Sequence, residues 1–190
     1  LRDGLQIEPV FVHTDDKIRL ADAFSALGFA RIEVSSFVSP RAVPALADAA
    51  EVFAGMQRAR GTVYVALVPN LKGAERALAA GAGELNLVMS AGETHNLANM
   101  RMTAAESFAG FAQIAALARG QVRLNGTVAT AFGCPFEGDQ PVPKVLDLVR
   151  RYLDLGCTGI TLADTTGMAN PRQVARLVEQ ALAIVGAGAL

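Results

Sequence analysis

Apolar and polar positions along this chain follow two alternating periods. Residues 30–37, 61–68, 84–89, 121–132 and 159–164 are short runs rich in β-branched and aliphatic side chains. The run 61–68 is almost unbroken in its apolar character, as in a strand buried on both faces. Between these runs the apolar positions recur at helical spacing. A first helix is expected from Thr14, as N-cap with acids in the first turn, to Leu27, ending at Gly28. Others are expected over 43–58, with Asp48 and Glu51 on the polar side, over 71–80, and from Thr103 through 119, with Glu106 completing a capping box. Two more cover 142–155 and the stretch that Asn170 caps, with Pro171 at its first position, to about 185. Residues 7–13 and 90–102 read as connections. The opening residues 1–6, bent around Gly4, read as the end of a further strand whose polar side chains face a site.

Strand and helix alternate with short loops, which is the pattern of a parallel sheet with crossover helices. Polar residues gather just after the strands: Arg2 and Asp3, Glu33 and Ser36, Asn70 and Lys72, Cys134 and Glu137, Asp164 and Thr165. That end of the strands is the catalytic face of a (β/α)8 barrel and the ligand crevice of an open α/β sheet. No GxGxxG and no Walker loop follows the strands, which disfavours the nucleotide-binding versions of the open sheet. The expected fold is α/β, a single catalytic domain over 1–190 of the (β/α)8 TIM-barrel type. The end of one strand plus five more account for about six of the eight, and a whole barrel takes about 250 residues. The expectation is therefore an incomplete copy, lacking its last two βα units and inactive by itself.

Composition narrows the function. The 190 residues are 52% hydrophobic, only 6% aromatic, and carry a formal net charge of −1. This leaves no electrostatic footprint for nucleic acid. No apolar run reaches the roughly 18 residues of a membrane span. Cys134 and Cys157 make no CxxC, so the expected setting is cytoplasmic. Cys134, ahead of a proline in a turn, reads as structural, and Cys157 as core. His95 reads as a solvated or capping residue. Arg2 and Asp3 have separate chemistries: a permanent fork of donors for an oxyanion, and a hard oxygen ligand for Mg2+ or Mn2+. Glu33 lies between Ile32 and Val34 on a buried strand, where an acid needs a partner. A functional role and a structural pair with Arg2 both satisfy it. Asp164 reads either as chemistry at a strand end or as a cap on the approach to a helix, and Lys72 either as a ligand contact or as an ordinary surface lysine.

Several segments together resemble 3-hydroxy-3-methylglutaryl-CoA lyase: Arg2-Asp3-Gly4-Leu5-Gln6, Ile32-Glu33-Val34-Ser35-Ser36-Phe37-Val38-Ser39-Pro40, Pro69-Asn70-Leu71-Lys72-Gly73, Gly133-Cys134-Pro135-Phe136-Glu137-Gly138 and Asp164-Thr165-Thr166-Gly167. They occur in order over the whole chain. The Arg-Asp-Gly-x-Gln segment is shared with the wider metallolyase superfamily of TIM barrels, which includes condensing synthases.

The resemblance implies metal-assisted cleavage of 3-hydroxy-3-methylglutaryl-CoA, or a close 3-hydroxyacyl-CoA, to acetyl-CoA and a 3-oxo acid such as acetoacetate. It implies Asp3 as a ligand of a divalent cation, Mg2+ or Mn2+. Arg2, Glu33 and Asp164 would be catalytic: Arg2 holding the thioester oxygen, Glu33 orienting Arg2, and Asp164 taking part in proton transfer. Gln6, Ser36, Asn70 and Lys72 would join Arg2 in binding the acyl-CoA, the last two toward the CoA side. Neither nucleic acid nor membrane is an expected partner, while a homo-oligomer is allowed. Alternatives are an acetyl-CoA-dependent condensing synthase of the same superfamily and a non-catalytic truncated barrel. Two departures stand out. The family's His-x-His motif, later Asn and glycine-rich Cys loop do not occur in these residues, whose histidines are His13 and His95. Asn125-Gly126-Thr127 also stands where the family reads Arg-Gly-Tyr, which leaves the acyl group open.

Overall fold

The computed structural model describes residues 1–186 and 188–190; position 187, within the glycine- and alanine-rich closing segment, lies outside the described residues. The chain divides into two compact units, one of residues 1–86 and 117–122, the other of 87–116 and 123–190.

The first unit starts with α1 (Arg2–Gln6). This corrects the expected strand end. The Leu5 amide reaches the Leu1 carbonyl at 3.1 Å, and Arg2 Nη1 donates to Gln6 Oε1 one helical turn on. Asp3 in the first turn adds a favourable dipole interaction. Then come α2 (Thr14–Ala26), β1 (Arg31–Ser36), a 3-10 turn over Pro44–Leu46, and α3 (Ala49–Gly55). The helix expected over 43–58 is thus interrupted. Its break is held by Lys17 of α2, whose ammonium is buried and donates to Ala45 O at 2.7 Å and to Asp48 Oδ1 at 2.6 Å. Asp48 also accepts from Thr14 Oγ1, so it faces inward rather than toward solvent, and Thr14 sits inside α2 with His13 at the N-cap.

The unit continues with β2 (Val63–Leu67), α4 (Leu71–Ala79) and the start of β3 (Glu84–Ser90). Its strands lie parallel in the order β1-β2-β3. Ile32 and Val34 point into the core, where the Phe37 and Phe53 rings lie 5.6 Å apart. The opposite face of β1 carries Glu33. The register slips between Glu33 and Ser35, a bulge of the kind that re-aims side chains at strand ends.

The second unit takes β3 onward from Leu87, then α5 (Glu93–Met100), most of α6 (Ala104–Ala118) and β4 (Arg123–Ala129). The region 90–102 was expected as a connection. It holds α5, a polar helix with Asn96 buried beneath it, accepting from Ser90 N and donating to Met102 O and Ser107 Oγ. The capping box of Thr103 and Glu106 forms as expected. Next come β5 (Gly133–Cys134) and β6 (Gly138–Asp139), a short antiparallel pair, then α7 (Val142–Asp154), β7 (Gly159–Leu162) and α8 (Pro171–Val185), which Asn170 caps. Strands β3, β4 and β7 lie side by side in that order. Helix α7 comes very close to β4: a Cβ on Gly126 would lie 2.3 Å from the Tyr152 ring. The Tyr152 hydroxyl is shared between the carbonyls of Leu87, at 3.0 Å, and Thr127, at 3.1 Å. Among the described residues the parallel strands number five, one fewer than expected, because residues 1–6 are helical.

Candidate active site

In the first unit, α1 lies against β1. The short helix presents Arg2 to the polar face of that strand. Arg2 Nε donates to Glu33 Oε1 at 2.6 Å, and Arg2 Nη1 donates to Asp3 Oδ1 at 2.9 Å and to Gln6 Oε1 at 3.2 Å. The second Glu33 oxygen, Oε2, accepts from Asn86 Nδ2 at 2.6 Å. One guanidinium, two carboxylates and two carboxamides are thereby joined in a single chain of charge-assisted bonds. Arg2 and Glu33 are largely covered, with 17% and 25% of their side-chain surface exposed, whereas Asp3 is 89% exposed. A half-buried ion pair of this kind is well fixed in direction, and Asp3 is the arm of the cluster that solvent reaches. Ser36, at the end of β1, is buried with 1% exposure. Among the described residues its hydroxyl has no hydrogen-bond partner.

The sequence reading did not assign Asn86. Its signal was present: a polar side chain two positions after Glu84, within a strand whose intervening Leu85 and Leu87 are completely buried. Period-two alternation puts Glu84 and Asn86 on one face.

Other expected residues are placed differently. Asn70 caps α4, its Oδ1 accepting from Gly73 N at 2.9 Å. Lys72 is exposed on the first turn of that helix. Neither is a hydrogen-bond partner of Arg2 or Glu33.

Asp164 belongs to the second unit. Its two carboxylate oxygens accept from Met168 N at 2.9 Å and Ala169 N at 3.1 Å, which bends the loop after β7 back on itself. That loop is pinned to the end of β4 and to the hairpin. Thr165 Oγ1 accepts from Thr130 N at 2.9 Å, and a Cβ on Gly133 would lie 2.8 Å from Met168. Thr130 holds a left-handed φ of 52° at this point. Cys134 is fully buried, packed so that a Cβ on Gly92 would sit 2.5 Å from its sulfur, as its structural reading requires. Cys157 is buried too, and burial pushes its thiol up to about 12. His95, expected to be solvated or a cap, stands within α5 and shares a 2.7 Å hydrogen bond with Ser90 Oγ. Glu137 accepts from Thr94 N at 2.7 Å and pairs with Lys144 at 3.3 Å; chiefly the Thr94 amide holds its carboxyl below the ordinary value.

Metal binding needs several ligands held together. Among the described residues no group of three or more His, Cys, Asp or Glu side chains comes together to hold an ion. Asp3 supplies a single carboxylate, already in contact with Arg2. Mg2+ and Mn2+ require more oxygen or imidazole donors than that, so these residues alone do not form a divalent-cation site.

The HMGL-like family model matches residues 1–187. The chain belongs to the HMGL-like family. It is 42% identical to the hydroxymethylglutaryl-CoA lyase of Bacillus subtilis, covering 96% of this chain and 61% of that protein. It is 40% identical to the cytoplasmic 3-hydroxy-3-methylglutaryl-CoA lyase of Rattus norvegicus, covering 100% of this chain and 55% of that protein. A relative from Macaca fascicularis, 42% identical over 90% of this chain and 53% of its own length, is named as mitochondrial. Among solved structures, an HMG-CoA lyase of A. baumannii in complex with coenzyme A and 3-methylmalate superposes with a TM-score of 0.97 at 58% identity, over 100% of this chain and 62% of that one. The chain thus spans between about half and two thirds of the length of the proteins it matches. Its α/β fold, with parallel strands and intervening helices, is that of these TIM-barrel lyases. Among the described residues no helix is long and apolar enough to cross a membrane.

Proposed function

We propose that the protein is a C–C lyase that cleaves 3-hydroxy-3-methylglutaryl-CoA, or a close 3-hydroxyacyl-CoA, to acetyl-CoA and a 3-oxo acid such as acetoacetate. The observation that carries this reading is the directed Arg2–Glu33 pair, 2.6 Å across, on the polar face of β1 in a chain of the HMGL-like family.

In the reaction the tertiary hydroxyl loses its proton, and its oxygen becomes the ketone of the 3-oxo acid. The bond between C2 and C3 breaks, its electron pair moves into the thioester enolate, and a proton is returned to the enolate carbon. Negative charge appears on the thioester oxygen. Arg2 answers that charge. Its bonds to Glu33, Asp3 and Gln6 use Nε and Nη1, so the Nη2 end of the fork is the one that meets an oxyanion. A donor fixed in place before charge develops stabilises the transition state without reorganisation. Glu33 sets the direction of that donor. In this reading Gln6 and the buried Ser36 hydroxyl offer polar contacts to the acyl group. Lys72, exposed on α4, meets the CoA side, with the Asn70 amide beside it. For Asp164 of the second unit, proton transfer rests on the family resemblance alone. A divalent cation, Mg2+ or Mn2+, belongs to the reading only through Asp3, as one ligand among others that the described residues do not provide. Cytoplasmic placement belongs to it too, supported by the relative that carries that name.

The acyl group is left open to a close homologue of the methylglutaryl chain because Asn125-Gly126-Thr127 stands where the family reads Arg-Gly-Tyr. The test is to incubate the full-length protein with 3-hydroxy-3-methylglutaryl-CoA and Mg2+ and to follow acetyl-CoA and acetoacetate. Equimolar release of both is the expected result. Acetyl-CoA consumption with a 3-oxo acid, and no cleavage, would make it a condensing synthase; binding without turnover in either direction would make it a non-catalytic module.

A further inference from the structure

Glu33 is held from two sides by groups of different kind. Arg2 is a cation and takes Oε1; Asn86 is a neutral carboxamide and takes Oε2, both at 2.6 Å. Glu33 and Asn86 come from strands β1 and β3, which do not touch. Strand β2 lies between them, with Val65 opposite Glu33 and Leu67 opposite Asn86. Adjacent strands are about 4.8 Å apart, so the two side chains meet by reaching over β2 across roughly 10 Å of sheet. Asn86 is 8% exposed, and the fully buried Leu85 and Leu87 on either side fix its face. The bond is therefore built by three strands rather than by a loop.

The natural geometry of an arginine and a carboxylate is two-point: two parallel N–H bonds to the two oxygens. Here the contact is one-point, through Nε alone. The oxygen that a second bond would use is the one Asn86 occupies. We propose that Asn86 is a positioning residue that keeps the Arg2 fork open: by holding Glu33 Oε2 it prevents Glu33 from closing on Arg2 in two-point contact, and so leaves Nη2 for the substrate. The residue type matters. A lysine or arginine at position 86 would compete with Arg2 for the carboxylate charge. An apolar residue would leave Oε2 to Arg2. A carboxamide satisfies the oxygen and leaves the negative charge of Glu33 available to orient the guanidinium. This inference rests on the reading of Arg2 as the oxyanion donor.

The experiment uses the full-length protein, with Asn86→Leu, Glu33→Gln and the double variant. With 3-hydroxy-3-methylglutaryl-CoA, Asn86→Leu is expected to lower kcat roughly 10–100-fold with KM nearly unchanged, the scale of a misplaced catalytic group. In the Glu33→Gln background the same substitution should cost nothing further, because Asn86 acts through Glu33. Additive losses in the cycle would overturn the proposal. A second reading needs no turnover. In protein labelled with 15N-arginine, two-point pairing in Asn86→Leu should slow rotation of the Arg2 guanidinium and resolve its Nη signals, which are averaged in the parent. Unchanged Arg2 signals in a folded Asn86→Leu protein would overturn it as well. A protein that cleaves no acyl-CoA would sink the proposed function, and the arginine spectrum would then decide the role of Asn86 by itself. Should Asn86→Leu fail to fold, Asn86→Ala carries the same two readings.

Discussion

Arg2 shows how much one side chain depends on what surrounds it. A surface arginine beside an aspartate is worth little, because water screens the pair and both side chains lose freedom. Arg2 is different because Glu33, which reaches it from a strand, sets the direction of Nε. Its contribution to the proposed reaction should lie in the transition state, where the thioester oxygen becomes charged. Arg2→Gln is therefore expected to lower kcat by about 10²–10³-fold with a small change in KM, measured by steady-state cleavage of the acyl-CoA. A raised KM with normal kcat would instead make Arg2 a ground-state binding residue. A different residue-scale effect is expected at Asp48. Its partner Lys17 is 3% exposed and stacks 4.1 Å over the Phe11 ring, so removing the carboxylate leaves a buried ammonium with Ala45 O and an aromatic face. Asp48→Ala should cost about 3–5 kcal/mol, read by urea denaturation.

Elements here are held by close approach as much as by propensity. Helix α7 packs on β4 because position 126 has no side chain and Tyr152 fills the space. Tyr152 also stacks on Phe111, 5.8 Å away, and meets Phe108 at 5.1 Å, so its ring cannot move aside easily. Gly126→Ala is expected to destabilise by about 1–3 kcal/mol through overpacking, again read by denaturant unfolding. The double variant Gly126→Ala/Tyr152→Leu should recover part of that loss if the clash is the cause. The starts of α6 and α8 followed their sequence signals, at Thr103 and Asn170, whereas Thr14, read as an N-cap, lies inside α2. Asn170 accepts from Gln173 N and Gln173 reaches back to Asn170 N, a full capping box. Where elements were misread, polarity was the reason. Helix α1 is five residues of mixed charge, and α5 carries His95, Asn96 and Asn99, so neither offers an apolar stripe to read. What makes α5 a helix against the rest of its unit is Asn96, whose buried amide is satisfied by groups from Ser90 to Ser107.

At the scale of the whole molecule, Glu106 and Glu137 of the second unit have carboxyls held below the ordinary value. Glu106 is lowered chiefly by the Thr103 amide, and Glu137 by the Thr94 amide, with smaller help from Lys144. Each binds its proton less readily folded than unfolded. Their contribution to stability is therefore present above the ordinary value of 4.5 and is lost as pH falls through the lower folded values. Stability of the parent should drop on acidification below that point, and Glu106→Gln/Glu137→Gln should flatten the drop, as followed by thermal unfolding between neutral and acidic pH. An equally steep acid limb in the double variant would remove these two carboxylates as its source.

Five parallel strands and most helices were legible because a strand covered on both faces must be apolar along its length, and because caps such as Thr103 and Asn170 act on their own next turn. Arg2, Asp3 and Gln6 were legible as a set through their motif, and Arg2 and Glu33 as a pair through the need of a buried acid for a partner. Tertiary structure decided what depends on residues distant in sequence. It turned Asp48 inward, because Lys17 lies 31 positions earlier and needs a counter-charge. It spent the Asn70 carbonyl on a helix cap and the Asp164 carboxylate on two loop amides, uses that the strand-end positions alone do not reveal. Above all it brought Asn86 to Glu33 across 53 positions and an intervening strand. Local pattern reports which face a side chain takes, since the strand repeat has period two. Which partner meets it on that face is set by strand order and register, and those follow from packing that no short window of sequence contains.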